Sequence, residues 1–197
     1  MTADLFDCPE IALVSDGEGG VRLRPGFVDE ATADRWFEAL RSRVPWARQR
    51  RPMYDRVVDV PRLLASFPVD ALPADLPLAE MLERVKTVAP APYNAVGLNL
   101  YRDGADSVAM HNDKLDSIVA AMPIALISLG ASRRMTIRAK SGRRQSLAVT
   151  VGHGSLLLMS HAAQSTHDHG IPKTRRAVGP RISVVFRVRP PDWRTDG

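Results

Sequence analysis

From residue 93 onward the sequence returns repeatedly to a short apolar stretch, at 96–100, 122–129, 135–138, 147–151, 155–159 and 182–188, with glycine-bearing breaks between several of them. Short strands in this number bury their apolar faces most readily by closing two antiparallel sheets on one another, so the rhythm predicts a β-sandwich of the jelly-roll type. The chain's 197 residues give room for one full core and not for two comfortable domains.

Residues 1–92 read as an N-terminal extension packed on that core and 93–197 as the core itself, one structural domain overall. Gly17-Glu18-Gly19-Gly20 is a hairpin turn between strands at 11–14 and 21–23. Asp29 is the N-cap of a helix from Glu30 to about Arg43, with Ala33, Trp36, Phe37 and Leu40 at helical spacing on one face. Between Val44 and Pro77 six prolines, at 45, 52, 61, 68, 73 and 77, favour ordered loops and short strands, where a lid can lie. Residues 78–88 form a second amphipathic helix, stopped by Pro90 and Pro92. The expected class is α+β, mainly β.

Chemistry enters with His111-Asn112-Asp113 and a distant His169. Residues two apart on a strand point to one side, so His111 and Asp113 can converge on one ion. Two histidines and a carboxylate make the facial triad of non-haem Fe(II), which leaves the opposite face of the metal open to a co-substrate and oxygen. Taken alone, His-x-Asp is far more often a solvated strand end, and the residues that accompany it change that balance. Arg181 and Arg187 are six apart on the last strand and share a face, as do Asn99 and Tyr101 on an earlier one. No zinc-spaced Cys/His cluster, Gly-x-Ser-x-Gly or phosphate loop competes with this set.

The net charge of +5 rests on arginine more than lysine, and the guanidinium fork suits phosphate, so polyanions are favoured partners. Arg48-Gln49-Arg50-Arg51, Arg133-Arg134, Arg143-Arg144 and Arg175-Arg176 are candidate rim clusters, or else solvated faces. No apolar run is long enough to span a bilayer, and Met1–Glu10 lacks the pattern of a secretory signal. The single Cys8 excludes an internal disulfide. The expectation is a cytoplasmic monomer without membrane contact.

Several segments together carry a family likeness. The run Asn94 to Gly104, then His111-Asn112-Asp113, Ile127-Ser128-Leu129-Gly130, Gly154-Ser155-Leu156-Leu157-Leu158-Met159, His169-Gly170-Ile171-Pro172 and Arg181-Ile182-Ser183-Val184-Val185-Phe186-Arg187 resembles the AlkB-type Fe(II)/2-oxoglutarate dioxygenases, in the family's order across residues 93–189. The N-terminal half resembles it more loosely, through Leu5-Phe6, Pro25-Gly26-Phe27, Val44-Pro45-Trp46 and Pro61-Arg62-Leu63.

That resemblance implies a double-stranded β-helix with a nucleotide-recognition lid, and His111, Asp113 and His169 as catalytic ligands of Fe(II). It implies that Arg181 grips the carboxylate of 2-oxoglutarate remote from the metal, and that Arg187 serves the near end or supports a ligand. Asn99 and Tyr101 complete the cradle. It implies decarboxylation of 2-oxoglutarate to succinate and CO2 with O2, and oxidation of a methyl on a base nitrogen that leaves as formaldehyde. The substrate is DNA or RNA carrying alkylated bases, single-stranded or locally opened. Trp46, Tyr54, Arg56, Arg62 and Arg133 are the candidate substrate contacts, with Trp46 equally able to be a core or hinge residue. His167, two before His169, is an alternative ligand, whereas His153 and His161 read as turn or edge residues.

The pattern departs at three places. Leu115 stands where many relatives have an acid, Val185 replaces a hydroxyl-bearing residue, and Tyr54-Asp55 replaces a frequent Tyr-Gly. The same iron chemistry on a protein side chain is the alternative reading, and a metal-free nucleic-acid-binding jelly roll a third.

Overall fold

In a computed structural model, the structure describes residues 9–53, 56–142 and 146–193, without the side chains of 51–53 and 56–58. Leu5, Phe6, Cys8, Tyr54, Asp55, Arg143 and Arg144 lie outside the described residues, as do the side chains of Arg51 and Arg56.

Among the described residues twelve strands and three α-helices follow one another as β1 (Ile11–Val14), β2 (Val21–Arg24), α1 (Glu30–Arg43), β3 (Ala47–Met53), β4 (Arg56–Pro68), α2 (Leu78–Val88), β5 (Ala95–Tyr101), β6 (Val108–His111), β7 (Ile124–Gly130), β8 (Arg133–Ala139), β9 (Ser146–Val151), β10 (Ser155–Met159), α3 (His161–Thr166), β11 (His167–Ile171) and β12 (Arg181–Arg187). An eight-stranded sheet runs β1-β2-β10-β7-β12-β5-β4-β3, and a four-stranded sheet β6-β11-β8-β9 faces it. The registered strand pairs are antiparallel, as a jelly roll requires. Residues before 92 supply both flanks of the large sheet, through β1–β2 on one side and β4–β3 on the other.

Strand alternation divides the large sheet into two faces. Val96, Leu98, Ile127, Leu129, Ile182, Val184 and Phe186 point to one side, where Trp36, Phe37 and Leu40 of α1 and Met81, Leu82 and Val85 of α2 cover them. Tyr101, Leu126, Leu157, Met159 and Val185 point to the other, meeting Met135, Ile137 and Ile171 of the small sheet. Helix α1 starts as expected: the Asp29 carboxylate accepts the Thr32 N–H at 2.8 Å. It lies very close to the end of β7, where a Cβ on Gly130 (φ 79°) would meet Pro180 O at 2.5 Å and Phe37 at 2.6 Å. Only glycine fits there.

Two elements differ from the sequence reading. The proline-bearing segment, expected as ordered loops and short strands, folds for the most part into a strand of 7 residues and a long one of 13. Pro52 is tolerated because β3 is the sheet's edge, and Pro61 because β4 pairs with β5 only from Leu63 onward. His161 begins the short helix α3, capped by Ser160, whose hydroxyl accepts the Ala163 N–H.

Candidate active site

Strands β6 and β11 pair with His111 directly opposite His169, their ring centroids 4.6 Å apart. The approach is close because residue 170 is glycine: a Cβ there would meet Val108 O at 3.0 Å and Met110 N at 3.1 Å. His111 Nδ1 lies 2.9 Å from Ala109 O. With the proton on Nδ1 that contact is a hydrogen bond, and the Nε2 lone pair is free for a ligand. His169 is buried, and burial, with the charge on His111, pushes its pKa down to about 4. It is therefore neutral near pH 7, the form that ligates a metal.

Asp113 follows β6 and is held from two sides. Its N–H donates to Gln164 Oε1 of α3 at 3.0 Å. Its carboxylate accepts two hydrogen bonds from Arg187, Nε to Oδ2 at 2.8 Å and Nη2 to Oδ1 at 3.1 Å. Burial by itself would raise the carboxyl's pKa, but the Arg187 charge and hydrogen bond, with the two imidazoles, hold it below the ordinary range. Of the two roles open to Arg187, the geometry is that of a clamp on Asp113. Among the described residues no trio of His, Cys, Asp or Glu groups is gathered closely enough to hold a metal as it stands. Both oxygens of Asp113 are drawn toward Arg187. The donors still fit iron, because a carboxylate offers about four lone-pair sites and a bidentate arginine takes only two.

The three side chains border a cavity of about 1060 Å³ between the sheets, which Tyr101 and Arg181 border as well. Arg181 is 0% exposed. Its Nε donates to Ser128 Oγ at 3.0 Å, its guanidinium carbon lies 5.3 Å from the Tyr101 ring centroid, and both terminal nitrogens lack a hydrogen-bond partner. A buried guanidinium with orphaned donors is costly unless an anion completes it. A diacid reaching from a metal at His111 and His169 to Arg181 supplies that anion by paired hydrogen bonds, so these residues fit 2-oxoglutarate. Asn99 borders the cavity but is partly spent inside the protein: Oδ1 accepts from Arg62 Nε at 2.8 Å and Nδ2 donates to Ser183 Oγ at 3.3 Å.

The candidate substrate contacts are less well brought together. Arg62 borders the cavity while also donating to Ser107 O. Arg133 is a correction: it is 3% exposed, and its guanidinium donates to the carbonyls of Asp103, Asp106 and Pro172, tying loops beneath Tyr101. Such a group is spent on the protein's own backbone and not presented at a rim. Trp46 is likewise a packing residue, half-buried against the helix-side core with its indole N–H on Arg41 O at 3.3 Å. Tyr54 and the side chain of Arg56 fall outside the described residues. His167 contacts Thr166 Oγ1 at 2.9 Å and, unlike His111 and His169, is not part of the cavity lining. His153 Nδ1 accepts the Gly130 N–H at 2.7 Å, a turn role. Leu115 is exposed, and the acid one residue later, Asp116, borders the cavity instead.

Sequence reasoning missed Gln164, Ser128 and Asp116. Ser128 stands two before Gly130 in the quoted run and faces inward by strand alternation, a signal that was present. Gln164 carries none, since its role depends on α3 packing beside the Asp113 loop.

The 2OG-Fe(II) oxygenase superfamily profile matches residues 64–187. The mouse protein "Alpha-ketoglutarate-dependent dioxygenase alkB homolog 3" is 31% identical over 94% of this chain and 71% of its own length. Human "DNA oxidative demethylase ALKBH2" is 28% identical over 80% of this chain and 69% of its own. The solved structure of OsALKBH1 superposes with a TM-score of 0.63 at 13% identity, covering 86% of this chain and 97% of that one, which supports the fold. The chain therefore belongs to the AlkB-type branch of the 2OG-Fe(II) oxygenase superfamily, dioxygenases that use Fe(II), 2-oxoglutarate and O2.

Proposed function

We propose that this dioxygenase oxidatively removes alkyl groups from base nitrogens of DNA or RNA. The observation that carries the reading is Arg181, whose two buried, unpartnered nitrogens sit in the same cavity as His111, Asp113 and His169. The match to a protein named a DNA oxidative demethylase supports the nucleic-acid substrate, and so does the net charge of +5.

His111, Asp113 and His169 hold Fe(II). Arg181 and Tyr101, backed by Ser128, hold 2-oxoglutarate, and Asn99 closes the cradle. The metal with 2-oxoglutarate and O2 supplies the oxidation: the oxo acid becomes succinate and CO2, and an N-methyl C–H becomes C–OH. The hydroxymethyl then leaves as formaldehyde and restores the base nitrogen. The protein's own contribution is placement. Arg187 keeps Asp113 ionised and orients it, burial keeps His169 neutral, and the apolar walls at Leu126, Met135 and Val185 exclude water from the deep end. At the mouth, Asp116 offers an acceptor for the exocyclic amino group of adenine or cytosine. The base must leave its stack to reach this depth, which favours single-stranded or locally opened substrate.

The test incubates protein, Fe(II) and 2-oxoglutarate with oligonucleotides carrying 1-methyladenine or 3-methylcytosine and follows formaldehyde and succinate together. Equal release of both from a methylated strand is expected. Succinate without formaldehyde from any oligonucleotide would leave the oxygenase and remove the substrate, and methylated peptides would then be tried.

A further inference from the structure

Helix α3 is 6 residues long, less than two turns, and a helix that short does not hold itself together in water. It nevertheless serves the metal site twice. Gln164, 1% exposed, accepts the Asp113 N–H, and the residue after α3 begins β11, the strand that presents His169. The hold on α3 must therefore come from its surroundings.

Much of it comes from the turn between β1 and β2. Strand β2 pairs with β10 so that Val21 lies opposite Met159, which brings the preceding turn beside Ser160, the N-cap of α3. The Ser160 N–H donates to Gly20 O at 2.8 Å. Its hydroxyl donates to Asp16 Oδ2 at 2.6 Å and accepts the Ala163 N–H at 2.9 Å. Glu18 Oε2 accepts the Ala162 N–H at 2.8 Å, so two of the helix's open donors are met from this one turn and its serine. Asp16 also shapes the turn, its Oδ1 accepting the N–H groups of Glu18 and Gly20, both at 2.8 Å. The chain of contacts continues inward, since Gln164 Nε2 donates to Ser160 O at 3.4 Å while Oε1 holds Asp113. At the other end of α3, Lys140 donates its N–H to Thr166 O at 2.9 Å and its Nζ to Gln164 O at 2.7 Å.

We propose that the β1–β2 turn belongs to the metal-holding apparatus, with Asp16 a positioning residue that acts on Asp113 through Ser160 and Gln164. The inference rests on His111, Asp113 and His169 as the ligands. Loss of an N-cap shifts a helix equilibrium by about 2- to 30-fold, and Asp16→Ala loosens the cap of α3 where no long helix compensates.

The experiment titrates Co(II) into the protein and records its visible absorption, with urea unfolding of each variant alongside. Asp16→Ala is expected to weaken Co(II) by about 3- to 10-fold and to shift the bands at saturation, as Gln164→Ala does. Asp16→Asn, whose side chain keeps the turn's two bonds and a hydrogen bond to Ser160, recovers most of the affinity. Asp29→Ala removes the corresponding cap from α1 and leaves Co(II) binding unchanged. In a Gln164→Ala background, Asp16→Ala adds less than about twofold. Where Asp16→Ala does not fold, Glu18→Ala, which removes a single contact of an exposed side chain, carries the same expectation at about 2- to 3-fold. Wild-type affinity and bands in whichever of these two variants folds overturn the role of the turn alone. So does a loss that Asp29→Ala matches, or an effect undiminished in the Gln164→Ala background. Co(II) held at full affinity by His111→Ala overturns the ligand assignment, and this inference with it.

Discussion

Arg181 and Gln164 mark the two limits of what a residue discloses before it is folded. Arg181 is legible, because alternation along β12 is local and puts Arg181, Ser183, Val185 and Arg187 on one face whatever packs there. Gln164 is not, because its amide reaches Asp113 only after α3 has docked beside the turn that follows Asp113. Arg133 looked like a rim cation beside Arg134, yet the strand's alternation turns one inward and the other out. Two expectations belong at this scale. Arg181→Ala raises the KM for 2-oxoglutarate about 10- to 100-fold, as expected for lost charge-assisted hydrogen bonds, read from succinate formation against co-substrate concentration. Gln164→Ala frees the Asp113 backbone and weakens divalent metal binding about 10-fold, read by Co(II) titration, with a smaller effect in Gln164→Glu, whose carboxylate still accepts the Asp113 N–H.

Among elements, α1, α2 and the strands β5, β7, β8, β9, β10 and β12 follow from propensity, capping and apolar spacing, which are properties of short windows, whereas β11 carries no such apolar run. The β3–β4 hairpin does not, since its prolines are excused only by edge position and by the point where β5 pairing begins. Trp36 joins the two helices: it is 0% exposed and its indole N–H donates to Glu80 Oε2 at 3.1 Å. Trp36→Ala therefore costs about 3–5 kcal/mol of stability, measured by urea unfolding. The loop after β5 is held by Asp106, which accepts from the Arg102 backbone N–H at 2.9 Å and from its Nε and Nη2 at 2.8 Å. The hydrogen bond from Arg102 holds the Asp106 carboxyl below its ordinary value of 3.8. Its contribution is thus complete above that value and is lost as pH falls below it through the lowered folded value. With Arg102 45% exposed on its side chain, Asp106→Asn should cost only about 1–2 kcal/mol near pH 7. The difference from wild type should shrink as unfolding is measured below pH 4, and a constant gap across that range would deny the ion pair its role.

At the scale of the molecule, the fold brings together pieces that the sequence holds far apart: two imidazoles paired across β6 and β11, a carboxylate just beyond, and an arginine on β12 bordering the same cavity. Sheet pairing explains this, and no window of sequence contains it. The family pattern made the set readable in advance, while the cavity's mouth was not readable, because its lining comes from turns and the C-terminal segment. The excess of cations predicts that affinity for single strands falls linearly on a log–log plot against salt, by about 0.7 per phosphate neutralised, in fluorescence anisotropy. Activity of this site requires one metal and one diacid sharing the cavity. Isothermal titration of 2-oxoglutarate into Mn(II)-loaded protein tests that most directly. One equivalent should bind with metal present, weaken sharply without it or in Arg181→Ala, and fail in His111→Ala and His169→Ala, which should not retain the metal. Binding that is indifferent to the metal, or metal retained with both histidines replaced, would contradict it.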